Sequence, residues 1–140
     1  MIARDYFELF RFLMEKDCLL QEDVVYVENI SDWCREHGIA EPDSEKPFKI
    51  ISKEGQGCRM LVRENIPDEI IDERINAMRI RGQLKNVAFD RADTLNSIHK
   101  KLAYLFLSEY ALSLPETDDS ELLADDWAFE AMERLGFFKT

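Results

Sequence analysis

The chain has 140 residues, of which 46% are hydrophobic and 34% charged, and its formal net charge is -11. A chain of this size buries roughly two thirds of its unfolded surface, so one domain can form without a metal or a disulfide, and the composition excludes a disordered polymer. With only 5 glycines and 4 prolines, a sandwich or barrel of many short strands is disfavoured.

Residues 2–16 carry Ile2, Tyr6, Leu9, Phe10, Leu13 and Met14 at helical spacing. Phe7 and Phe12 widen that stripe, so this helix is expected to be covered on more than one side. Residues 22–37, "EDVVYVENISDWCREH", are read as a helix with Val24, Val27, Ile30, Trp33 and Cys34 on one face and Gly38 as the stop. The β-branched run Val24–Val27 leaves a second reading open, a short strand followed by a helix capped by Ser31. Two prolines mark 40–47 as a loop.

A β-hairpin is expected at about 48–63, in "KPFKIISKEGQGCRMLVREN". Period-two reading places Phe48, Ile50, Ser52, Cys58, Met60 and Val62 on an inner face, and Lys49, Ile51, Lys53, Arg59, Leu61 and Arg63 on an outer one. Pro67 opens the next helix, with Asp68 and Glu69 in its first turn and Gly82 as its interruption. A long helical pattern over 83–113 is expected to break near Asp93–Thr94, Thr94 capping the second part, whose "KLAYLFLSEYALSL" is apolar nearly all round. Pro115 closes it, and a last helix over 121–135 ends in "LGFF", where Gly136 suits a left-handed stop and Phe137 folds back toward Met132. The fold class is therefore mainly α with one β-hairpin (α+β), a single domain over 1–140 of four to five helices.

Charge is segregated along the chain. Residues 1–73 carry 9 basic and 18 acidic groups, 74–101 carry 7 and 2, and 102–140 carry 2 and 9. The N-terminus has no basic segment ahead of an apolar one, which speaks against a secretory signal, and the longest apolar run, "LAYLFL", is far below the ~20 residues of a membrane span. Cys18, Cys34 and Cys58 are odd in number and irregular in spacing, which points to a reducing compartment and a cytoplasmic location.

The motifs for chemistry are sparse. Cys34 and His37 share a helical face, but Cys18 and Cys58 do not complete a paired-thiolate zinc site; a buried thiol and a helix-end cation explain them. Asp90 with Asp93, Glu69 with Asp72, and the acids of 118–126 lack a histidine or a glycine at ligand spacing. Ser52, Ser97, Ser108 and Ser113 lie in no nucleophile elbow, and "GQG" is a turn rather than a phosphate loop. No catalytic, cofactor or metal site is assigned, and no cofactor is expected. The basic and aliphatic outer face of the hairpin is the candidate interaction patch: Lys49, Ile51, Lys53, Arg59, Leu61 and Arg63. Two aliphatics ringed by four cations suit a protein contact. The chain is accordingly read as a non-catalytic protein-interaction module that self-associates through that face, with a protein partner, a homodimer included, and no membrane. The alternative is a nucleic-acid-binding regulator of winged-helix-like outline, opposed by the acidic segment ahead of the hairpin. An enzyme of unknown class is third.

Overall fold

A computed structural model describes residues 2–16, 23–42, 45–53, 57–80, 94–118 and 120–138. Among them are five helices and one three-stranded sheet: α1 (Ala3–Lys16), β1 (Asp23–Val27), α2 (Ile30–Glu36), β2 (Phe48–Lys53), β3 (Gly57–Arg63), α3 (Asp68–Ile80), α4 (Ile98–Ala111) and α5 (Glu121–Arg134). The fold class is α+β, as the patterning indicates. The chain divides into two compact units, Met1–Ile70 and Ile71–Thr140.

The first unit is a sheet clad on both faces. Its strand order is β1-β3-β2. β2 and β3 form the expected antiparallel hairpin, with Phe48 opposite Val62 and Ile50 opposite Met60. β1 joins the other side of β3 in parallel, Val25 beside Leu61. Residues 22–37 are therefore not one helix. The run Val24–Val27 follows its β propensity because β3 offers it a full partner, and the chain turns at Glu28–Asn29 into α2. The cap of α2 is Asn29, whose side chain accepts from the Asp32 amide at 2.8 Å, not Ser31.

α1 lies on the face of Phe48 and Tyr26. Ala3, Phe7, Phe10 and Met14 are its buried side, and the Phe7 ring meets Phe48 edge-on at 4.8 Å. α2 covers the opposite face, where Val27, Ile30, Cys34 and Leu61 form a cluster with Val25, Trp33, Ile39 and Ile51 around it. The β3 residues Met60, Leu61 and Val62 are all 0% exposed, so the central strand is buried on both sides.

The second unit is helical. Every residue of α4 from Leu102 to Ala111 is buried, in accord with its apolar circumference. Its cap is Ser97, accepting from the Lys100 amide; Thr94 lies upstream of the helix, and the expected interruption at Gly82 and helix start at 83–93 fall outside the described residues. α5, capped by Ser120, packs along α4 with Phe129 against Tyr104 at 4.9 Å and Trp127 against Tyr110 at 5.7 Å. Phe129 is buried. The end of α5 is a Schellman motif: the Phe137 amide donates to the Met132 carbonyl at 3.0 Å, the Gly136 amide donates to the Glu133 carbonyl at 3.1 Å, and Gly136 has φ +86°.

A side chain at that left-handed position is strained. Gly136→Ala is expected to destabilise the protein by about 1 kcal/mol in urea unfolding, whereas Ala is expected to be tolerated at exposed Glu130 within about 0.5 kcal/mol.

Candidate functional site

The hairpin face chosen from sequence has the parity expected of it, but its centre is not free. Leu61 is wholly buried beneath α2, and Ile51 is half-buried against the same cluster. Arg63 is turned to Glu45, Nη1 to Oε1 at 3.5 Å, and both side chains are about four-fifths covered. Glu45 in turn serves α2: its Oε1 accepts from the Ile30 amide at 3.1 Å and its Oε2 from the Ser31 hydroxyl at 3.0 Å. Lys49 is half-buried, Arg59 is exposed, and the side chain of Lys53 lies outside the described residues. The aliphatic centre of the predicted patch is thus an internal layer, because the strand-turn-helix of 23–36 lays α2 across it. β3 is also the middle strand, with β1 paired along its other side.

Two other features of the first unit face outward. The first is a cleft of about 280 Å³ at the C-terminal end of β1, lined by Tyr26, Val27, Glu28, Asn29, Asp32, Trp33 and Glu36. Its walls are set by the corner at Glu28–Asn29, which brings a strand aromatic beside a helix aromatic. The Trp33 indole stacks on His37 with centroids 3.8 Å apart and planes 13° apart. His37 Nδ1 lies 2.8 Å from the Trp33 carbonyl oxygen, which can only accept, so that nitrogen carries the proton. Tyr26 donates its hydroxyl to Glu8 Oε1 at 3.3 Å, and the Arg4 guanidinium sits 4.6 Å over its ring. Burial, then the Glu8 charge and hydrogen bond, push the Tyr26 phenol up to about 12.

The chemistry open to this cleft is narrow. Of the amides that begin α2, those of Ile30 and Asp32 are already served by Glu45 and Asn29. Glu28, Asp32 and Glu36 instead give it a negative rim, with Arg35 bound to Asp32 at 2.9 Å and to Glu41 at 3.1 Å. Cys34 points into the core while the His37 ring stands outside, so the pair read as a remote ligand possibility is not brought together. Burial raises the Cys34 thiol pKa, which weakens it as a nucleophile. Among the described residues no group of three or more His, Cys, Asp or Glu is placed to hold a metal ion.

The second feature is a ridge on α1. Leu9 (51% exposed) and Phe12 (63%) lie on one side of the helix axis, turned away from the side that covers the sheet, and Ile2 (63%), bridged to Asn65 just ahead of the helix, is exposed as well. The broad stripe of α1 led to the expectation of a helix covered on more than one side; instead Phe7 belongs to the buried inner side, while Leu9 and Phe12 are exposed. The cleft had its signal in the β-branched run followed by an Asn at cap position, which a helical reading of 22–37 conceals.

No protein-family model matches the chain, and no curated protein or solved structure resembles it closely enough to count as a match. No described helix is long and apolar enough to cross a membrane.

Leu61→Ala is expected to lower stability by about 2–5 kcal/mol in denaturant unfolding, against less than about 0.5 for Arg59→Ala; equal small effects would show that α2 does not cover this face. For Tyr26 the sign follows from a neutral acid whose pKa is higher folded than unfolded. Its contribution is complete below about pH 10 and fades as pH rises toward about 12. Phenolate absorbance should accordingly show Tyr26 as a late-titrating tyrosine, and Tyr26→Phe should remove that late component.

Proposed function

We propose that the protein is a non-catalytic protein-interaction module and that it docks its partner on the outer ridge of α1. This reading keeps the interaction role drawn from the sequence and moves it off the hairpin face, whose aliphatic centre is occupied. The observation that carries it is the exposure of Leu9 and Phe12 along one helix side, with exposed Ile2 just ahead of the helix, while the other side of the same helix is already used for the sheet. Covering such side chains stabilises a complex by about 1.5–3 kcal/mol each. Helix ridges with apolar anchors one and two turns apart are a common docking element.

A photoreactive benzoylphenylalanine at position 12 tests the reading in cells. The expected result is a discrete adduct with one protein, absent when the probe is moved to exposed position 130 on α5 and lost on Leu9→Asp. If position 12 yields no more adduct than position 130, the ridge docks nothing.

A further inference from the structure

Resting on that docking role, we infer that the partner presents a cationic amphipathic segment, seated on one continuous strip from the Tyr26–Trp33 cleft across Glu8 to Phe12 and Leu9. Charge complementarity selects this occupant. Residues 1–70 carry 9 basic and 16 acidic groups. On α1, exposed Asp5 and Glu8 stand one turn from Leu9 and Phe12, the i,i+4 relation that makes them neighbours on the surface. The described basic side chains of the same helix are engaged: Arg11 Nε donates to Glu15 at 2.9 Å, and Arg4 lies over Tyr26. The Tyr26 hydroxyl bonded to Glu8 joins the helix to the cleft. There Glu28, Asp32 and Glu36 line the cleft together with Trp33, Asp32 being paired with Arg35. An ammonium or guanidinium group meets both carboxylates and an aromatic ring in that cleft. Apolar anchors on the ridge and a basic side chain in the cleft make a two-point contact that neither feature provides alone.

A second copy of this chain is a poorer occupant. A two-fold contact presents the same patch to itself, so Asp5 and Glu8 of one copy approach those of the other, and each copy carries a net charge of -11.

The test uses the full chain and two labelled model helices of identical apolar spacing, one Leu/Lys and one Leu/Glu, with fluorescence anisotropy across salt and native mass spectrometry alongside. The Leu/Lys helix is expected to bind and the Leu/Glu helix not. Phe12→Ser, which leaves the charge unchanged at a position that is 63% exposed, is expected to weaken binding at least about tenfold. Glu28→Gln with Glu36→Gln is expected to weaken it more than the equal neutralisation Asp126→Asn with Glu130→Gln on α5. Binding that ignores Phe12→Ser, or that falls equally with both neutralisations, is unspecific attraction to an acidic protein and overturns the inference. A dimer that Phe12→Ser dissociates would assign the ridge to a second copy, which also overturns the inference but leaves the docking role standing. No peptide binding, no dimer and no adduct from position 12 would remove the docking role itself.

Discussion

Leu61 under α2 is the contact on which the first unit is built. β3 has strands on both sides and helices over both faces, so its residues are fixed by four neighbours at once. Moving its register by one residue would send Leu61 toward α1 and Met60 toward α2, and every strand pairing would follow. Glu45 belongs to the same arrangement: it takes the Ile30 amide, the Ser31 hydroxyl and the Arg63 guanidinium. One carboxylate thus ties the start of α2 to the end of β3. An arginine that is largely covered is tolerable there because its charge is answered at close range.

That scaffold decides which surfaces are left for a partner. Both faces of the sheet are used, while the far side of α1 and the corner where β1 turns into α2 face outward. Their chemistry differs: the ridge is apolar, the corner is aromatic and negative. Tyr26 stands between them, half-buried, its hydroxyl on Glu8 and its ring under Arg4. A binding role assembled from such parts draws its adhesion from the ridge and its selectivity from the corner.

The amphipathic helices, the hairpin with its parity, the buried α4 and the glycine stop of α5 were legible because each obeys a local rule: period 3.6, period two, an unbroken apolar circumference, a left-handed cap. What the sequence hid was non-local. Val24–Val27 fits a helical face and a strand equally well until β3 is known to lie alongside, and the side chains of Ile51 and Leu61 alternate correctly without revealing that α2 will lie across them. Misreading 22–37 therefore cost both the third strand and the true surroundings of the patch. Phe12 shows the converse: its excess on the stripe was visible and pointed to a second covered side, yet it faces solvent.

The parallel seam between β1 and β3 has a kinetic counterpart. The hairpin partners are close in sequence, whereas β1 must bring Asp23 beside Arg59 with α2 and β2 intervening. Closing the longer loop forfeits more chain entropy before any pairing compensates it. On that ground the hairpin is expected to form ahead of the strand that carries Tyr26.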